Sequence, residues 1–309
     1  MTNHAHTRLL VVDDEVEIRS LMVEFLRDIE KYTVFEADGA QAALSLLQQQ
    51  PVDLILSDIN MPGMKGFDLL REVRAAYPGV KRVLITAYNV EDYLELALKH
   101  DIGNIFVKTT PFNFEELSAI LTTLLTNDIF GLDRHFSETA TRMQFKITNS
   151  KRLDLHASSI ASFIGNVPYA KKLELVIIEL LTNAIFYGIR KESAENKEQW
   201  EHDFTLPDEE AVSVVVAKDP EKFGISISDS GGRLKKHDVL YWLHRQIAHD
   251  ADGLPLGLYD SHGRGLYITR KYIDRLIINI DHSRQTEIII INYFQNTYIG
   301  YKPLYINEL

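Results

Sequence analysis

The chain has 309 residues, enough at ~150 residues per domain for two domains that each bury a core. Apolar residues make up 45% and charged residues 25%, with no cysteine, which excludes a disordered or collagen-like chain, a disulfide framework, a thiolate zinc site and a thiol nucleophile. With 44 acidic against 33 basic residues the net charge is −11, so neither nucleic acid nor an acidic membrane is an expected partner.

The N-terminus, Met1 to Arg8, is polar and lacks a signal-peptide core. No apolar run approaches the ~18 residues of a membrane span, so the expected location is the cytoplasm. From residue 8 to 126, short β-branched runs alternate with helical patterns. Strands are expected at Leu9–Val12, Thr33–Glu36, Leu54–Ser57, Val83–Thr86 and Ile105–Lys108. Helices are expected at Glu17–Asp28, Ala40–Gln49, Phe67–Tyr77, Val90–Lys99 and Phe114–Thr126. This alternation predicts right-handed βαβ crossovers and a parallel sheet, with function beyond the carboxyl ends of the strands.

Those ends are chemically loaded. The first strand ends in Asp13 and Asp14, the third in Asp58, the fourth in Thr86 and the fifth in Lys108. Converging carboxylates repel unless they share a divalent cation, and hard oxygen donors suit Mg²⁺. A carboxylate beside Mg²⁺ and an ammonium can attack a phosphoryl donor, and a threonine hydroxyl can hydrogen-bond the acyl phosphate formed. Any one Asp alone reads as a loop or helix-cap residue.

In this order, Val11-Val12-Asp13-Asp14-Glu15, Leu56-Ser57-Asp58-Ile59-Asn60-Met61-Pro62-Gly63, Leu84-Ile85-Thr86-Ala87 and Phe106-Val107-Lys108 resemble the receiver domain of two-component response regulators. The resemblance implies a flavodoxin-like (βα)5 fold over residues 6–127 and Asp58 as phosphoacceptor. It also implies Asp13, Asp14, Asp58 and the Asn60 carbonyl around Mg²⁺, Thr86 and Lys108 as the responding pair, and an upstream sensor histidine kinase as partner. The chain departs from that family in two places. Proline usually follows the lysine directly, whereas here the run is Lys108-Thr109-Thr110-Pro111. The family's aromatic position three residues before the lysine is Ile105.

Residues 128–142 form a mixed linker. His135 lies in it, but Phe136 rather than an acid follows, and no long dimerisation helix surrounds it, so it reads as an ordinary linker histidine. His156 fails the same comparison. From residue 143 to 298 the expected elements are a strand at Met143–Ile147, helices at Leu153–Ile164 and Lys171–Tyr187, a hairpin Val212–Ala217/Phe223–Ser228, a helix at Gly265–Ile273 and strands at Leu276–Ile280 and Glu287–Tyr293. They predict an α+β two-layer sandwich with helices on one face of a mostly antiparallel sheet, followed by a C-terminal tail at 299–309.

Glu179 and Asn183 lie one turn apart, away from the apolar stripe of their helix. A carboxylate there can act as base and an amide oxygen can hold Mg²⁺. Asp229 and Gly231 follow a strand; the acid can accept from an exocyclic amine and the glycine can admit a flat base. Ser261-His262-Gly263-Arg264-Gly265 opens a helix whose free N–H groups favour phosphate. Each motif alone is commonplace, but their order resembles the Bergerat-type (GHKL) ATPase fold of gyrase, Hsp90, histidine kinases and MutL. Glu179 to Gly188 and Gly263 to Ile268 look like anti-sigma-factor serine/threonine kinases. That resemblance implies ATP and a second Mg²⁺, with Asn183 on the metal, Asp229 on adenine, Gly231, Gly263, Arg264 and Gly265 around the nucleotide, and Glu179 as base.

The usual Asp-x-Gly-x-Gly box is shortened here to Asp229-Ser230-Gly231-Gly232-Arg233. Arg233–His262 reads as a nucleotide lid in which Lys235, Lys236 and Arg245 can meet phosphate, and Val239–Leu243 reads as lid-helix packing. The acidic segment Arg190–Ala211, with Trp200, reads as a solvated insertion. Without that segment the second half is slightly basic, which suits an anionic ligand. The expectation is a receiver whose phosphorylation controls an attached protein kinase, acting on Ser or Thr of an anti-sigma-antagonist-like partner in a partner-switching circuit. The alternatives are a histidine kinase acting in trans or on the linker, and a non-catalytic ATP- or partner-binding module. A homodimer is compatible with either family.

Overall fold

The computed structural model describes residues 7–29, 31–192, 203–249, 253–254, 256–257 and 263–309. The acidic insertion around Trp200 and the Ser261-His262 half of the glycine box lie outside them. Strands β1 (Thr7–Val12), β2 (Tyr32–Ala37), β3 (Leu54–Asp58), β4 (Lys81–Thr86) and β5 (Asn104–Val107) alternate with α1 (Val16–Arg27), α2 (Ala40–Gln49), α3 (Gly66–Ala76), α4 (Leu94–His100) and α5 (Phe114–Thr126). The strands are parallel in the order β2-β1-β3-β4-β5. Every residue of β3 is buried, as a strand covered on both faces must be, which is why it reads as an unbroken apolar run. The helix expected over Val90–Lys99 splits into a 3₁₀ turn, Val90–Tyr93, capped by the Asn89 side chain, and the short α4.

The second half supplies β6 (Thr141–Ile147), α6 (Leu153–Ile164), α7 (Ala170–Thr182), a π-helical continuation Asn183–Ile189, β7 (Val212–Lys218), β8 (Lys222–Asp229), α8 (Lys236–Ile247), α9 (Arg264–Tyr272), β9 (Arg275–Asp281), β10 (Gln285–Tyr293) and β11 (Leu304–Glu308). Strands β6 to β10 pair antiparallel in the order β9-β10-β8-β7-β6.

Two features depart from the sequence expectation. First, residues 304–308 of the expected tail form β11, which pairs parallel with β9 and antiparallel with β5 and joins both halves into one 11-stranded sheet. The reason is burial: Leu304, Tyr305 and Ile306 carry apolar surface on both faces and fill the seam between β5 and β9. Gly103 permits the approach, because a Cβ there would lie 2.6 Å from the Ile306 carbonyl oxygen.

Second, the antiparallel sheet is covered on both faces. Helices α6 to α9 share one apolar core with α2 to α4. On the opposite face Leu117, Ile120, Leu121 and Leu124 of α5, with Leu132, Phe136 and Ala140 of the linker, cover Ala217, Ile277, Ile289, Ile291 and Tyr305. Phe136 lies directly on Gly224, where any Cβ would meet its ring at 2.6 Å. His135 is buried in this layer, which pushes its imidazole down to about 3 and keeps it neutral. The linker is therefore part of the core. Among the described residues, no helix is long and apolar enough to cross a membrane.

Candidate functional site

At the carboxyl rim of the parallel sheet the structure brings together Asp13 at the end of β1, Asp58 at the end of β3 and Lys108 just beyond β5. The Lys108 ammonium lies 2.8 Å from Asp13 Oδ2 and 2.7 Å from Asp58 Oδ1, with Glu15 Oε1 at 3.4 Å. The Glu15 N–H donates to Asp13 Oδ1 (3.0 Å), and the Asn60 N–H donates to Asp58 Oδ2 (2.6 Å). Burial pushes the Asp13 carboxyl up, and Lys108 only partly offsets it. Burial also pulls on the Lys108 ammonium, but its two acidic neighbours outweigh that and hold it above the ordinary lysine range. Thr86 is buried at the end of β4; its Oγ1 accepts from Tyr88 N–H, and its carbonyl accepts from Lys108 N–H.

Asp14 is half-buried at the rim, and Asn60 is exposed beside it. Among the described residues, no three acidic or imidazole side chains converge closely enough to hold a metal ion alone. Asp13 Oδ2 is buried, and the Lys108 ammonium is the charge that faces it. Carboxylate and carbonyl oxygens, with water completing the shell, match the way Mg²⁺ is commonly held, and this donor set fits it.

The second half holds a cavity of about 590 Å³ between α7, α8, the start of α9 and the sheet. Glu179, Asn183, Asp229, Gly263, Arg264 and Gly265 all line it. Gly265 is wedged against the helix pair: a Cβ there would lie 2.9 Å from Glu179 Oε2 and 3.5 Å from Asn183 Nδ2. Gly263 precedes α9 with φ of 80°, and a Cβ would strike the Trp242 ring at 2.8 Å. Gly263 stands at the N-cap of α9 and has no side chain with which to cap it.

Gly231 is different from the expectation. It does not line the cavity; its N–H donates to Asp229 Oδ1 (2.9 Å) from behind. A Cβ on Gly231 would fall 2.2 Å from the Gly188 carbonyl oxygen, so its lack of a side chain serves backbone packing. The π-helical stretch after α7 is what brings Gly188 this close. Gly188 in turn abuts the Asp229 carboxylate, where a Cβ would sit 2.6 Å from Cγ. Lys236 turns away from the cavity toward Asp101 (2.9 Å) and Glu308 (3.6 Å).

The comparisons address the first half. A family model described as a response regulator receiver domain matches residues 9–122. Chemotaxis protein CheY of Pseudomonas aeruginosa is 34% identical over 112 residues, covering 36% of this chain and 89% of CheY. The chain belongs to the response-regulator receiver family. Response regulator protein FleR of the same organism is 33% identical over 110 residues, 36% of this chain but only 23% of FleR's own length. The solved structure of response regulator TrrA from Thermotoga maritima, in complex with Mg²⁺ and BeF, is 35% identical, covers 38% of this chain and 99% of that one, and has a TM-score of 0.35. The receiver accounts for the acid pocket; the cavity lies outside the matched residues.

Thr286 and Trp242 are among the cavity residues that were not legible in the sequence. Thr286 lines the cavity because β10 sets it opposite Asp229, a register fixed only by the folded sheet. Trp242 belongs to a stretch that reads as packing; Val239, Leu240 and Leu243 do pack, while Trp242 forms cavity wall.

Burial raises the Asp229 carboxyl to about 6, against the opposing N–H bonds from Gly231 and Gly232. An acid with a raised folded pKa costs stability as pH climbs from its ordinary value toward the raised one, and the cost is complete above it. Asp229→Asn should therefore leave stability nearly unchanged at pH 4 and raise it by up to about 3 kcal/mol at pH 8. Urea midpoints at the two pH values measure this; an equal effect at both would refute it.

Proposed function

We propose that the receiver's phosphorylation at Asp58 controls an attached ATP-dependent protein kinase whose nucleotide site is the cavity of the second half. In the receiver, Asp13, Asp14, Asp58 and the Asn60 carbonyl would hold Mg²⁺, which when bound neutralises the oxygens of the transferring phosphoryl group. An Asp58 oxygen forms the new O–P bond as the P–N bond of a sensor kinase's phosphohistidine breaks. Lys108 supplies its ammonium to the developing charge, and the Thr86 hydroxyl donates to the acyl phosphate.

The observation that carries the kinase reading is that Glu179, Asn183, Asp229 and the Gly263–Gly265 turn share one cavity of about 590 Å³, within the size range of small-molecule sites. They are the residues that resemble the histidine-kinase-like ATPases. Asp229, at the closed end beside Gly188, is the acceptor for the adenine amino group. The start of α9, with Arg264, faces the phosphates. The Asn183 amide oxygen would hold the Mg²⁺ of the nucleotide. Glu179 takes the proton of a Ser or Thr hydroxyl as that oxygen bonds to the γ-phosphorus and ADP leaves. The substrate is a partner protein of the anti-sigma-antagonist kind.

Titration of the full chain with a fluorescent ATP analogue in Mg²⁺ tests this. The wild type saturates; Asn183→Ala weakens binding about tenfold or more, in the range of losing one charge-assisted contact. Glu179→Ala binds the nucleotide but transfers no phosphate to a partner. Absence of nucleotide binding by the wild type overturns the reading. Binding without transfer to any candidate partner replaces the kinase with a binding module.

A further inference from the structure

We infer that the contact between the receiver and the second half carries a binding site for one small monovalent anion of the chloride class, in a cavity beneath the linker. The site is separate from the acid pocket and from the nucleotide cavity, and it does not depend on the reading of either.

The cavity measures about 20 Å³ and lies where α5 meets the strands of the second half. Space of that size holds one particle as large as a water molecule or a halide. Glu116 of α5, His135 of the linker, Lys222 of β8, Arg275 of β9 and Tyr293 of β10 line it, so both halves of the chain build it.

Arg275 gives the strongest signal. Its guanidinium is buried: Nε donates to Glu116 Oε2 (2.7 Å) and Nη1 to the Asp274 carbonyl (3.0 Å), while the buried Nη2 meets no acceptor among the described residues. A buried, charged N–H without an acceptor is costly, so an acceptor is expected in the cavity that Arg275 lines.

The rest of the wall is richer in donors than in acceptors. The Tyr293 hydroxyl oxygen accepts from Asn113 Nδ2 (3.0 Å), which leaves its own hydrogen to donate. Burial and the Glu116 charge keep that phenol protonated. The buried Lys222 ammonium has three N–H groups, and its carboxylate partner Glu115 lies largely in solvent. Neutral His135 brings one donor and one acceptor. The Glu116 oxygens are already committed, Oε1 to the Tyr305 hydroxyl (2.9 Å) and Oε2 to Arg275 and Asn113 Nδ2 (3.1 Å).

Charge alone does not choose the occupant, because Lys222 and Arg275 balance Glu115 and Glu116. The direction of the hydrogens does. A water molecule must donate its own two hydrogens, and the wall offers it little beyond the His135 lone pair. A halide donates nothing and accepts from Arg275 Nη2, Tyr293 and Lys222 together. Phosphate, sulfate and carboxylates are too large for the space. Bound there, the anion ties the two cations of the second half to the layer formed by α5 and the linker, and so governs how firmly the halves hold together.

The test compares the full chain with Tyr293→Phe, which removes one donor and leaves every charge in place. Urea midpoints are followed as sodium gluconate is replaced by sodium chloride at a constant ionic strength of about 0.3 M. The wild type is expected to gain stability saturably with chloride. Tyr293→Phe is expected to need about tenfold more chloride for the same gain, the effect of losing one hydrogen bond to a charged group. A general salt effect moves both proteins alike and overturns the site, as does a wild-type midpoint that chloride leaves unchanged. Wild-type crystals soaked in sodium bromide give a reading that needs no variant. An anomalous bromide peak in the cavity against Arg275 Nη2, alongside the chloride effect in solution, upholds the site. A water molecule there with no anomalous signal overturns it. A bromide peak without any chloride effect in solution is an adventitious ion only and overturns it too.

Discussion

Asp58→Asn protein incubated with Mg²⁺ and acetyl phosphate is expected to take up no phosphoryl group, while the wild type is expected to take up one that hydroxylamine removes. The effect is total because the substitution removes the attacking oxygen while keeping the shape. An asparagine still offers one oxygen to the Asn60 N–H that now meets Asp58 Oδ2 at 2.6 Å. What it cannot offer is a carboxylate at 2.7 Å from the Lys108 ammonium, the group proposed to attack the phosphoryl donor. Asp13 is held by the same ammonium at 2.8 Å, but it lies at the end of β1 with its other oxygen on the Glu15 N–H. Uptake of a hydroxylamine-labile group by the Asp58→Asn chain, measured by intact mass, would show that a neighbouring acid is the acceptor.

Arg275→Met is expected to lower stability by about 3–5 kcal/mol, the usual result of leaving one partner of a buried ion pair alone. Arg275 Nε lies 2.7 Å from Glu116 Oε2, with both side chains nearly inaccessible. Glu116 also accepts from Asn113 Nδ2 at 3.1 Å and from the Tyr305 hydroxyl at 2.9 Å. Burial and the Glu116 charge both push the phenols of Tyr293 and Tyr305 upward, so neither can ionise or supply a compensating charge. Removing the guanidinium strands the carboxylate among apolar and phenolic neighbours at the contact of α5, β9 and β11. Glu116→Gln in the same chain removes the stranded charge and should recover much of the loss. Urea midpoints of the two single variants and the double variant measure it. Additive losses in the double variant would place the cost outside the pair.

Much of the receiver was legible because its determinants are local. A parallel strand buried on both faces must be apolar along its whole length, as Leu54 to Leu56 are, and it must end where polar loops begin. Asp13, Asp58, Thr86 and Lys108 sit at those ends, so reading the strand ends was enough to collect the acid pocket. The spacing of Glu179 and Asn183 likewise follows from one helical turn, and the glycines at 263 and 265 announce the start of α9. These short-range periods are written into consecutive residues and need no knowledge of the partner surface.

The tertiary structure alone decided what depends on distant pairing. Leu304 to Ile306 look like an apolar tail until β5 and β9, separated by more than 160 residues, present open edges that the tail can bridge. The second face of the antiparallel sheet looks solvent-facing until α5 and Phe136 settle on it, which turns a two-layer expectation into one core continuous with the receiver. Gly231 reads as a ligand-facing glycine until the π-helical turn sets Gly188 on top of it, and Thr286 has no signal apart from its register with Asp229. Backbone period is a property of the segment, whereas which edge, face or cavity a segment meets is a property of the surface that arrives opposite it.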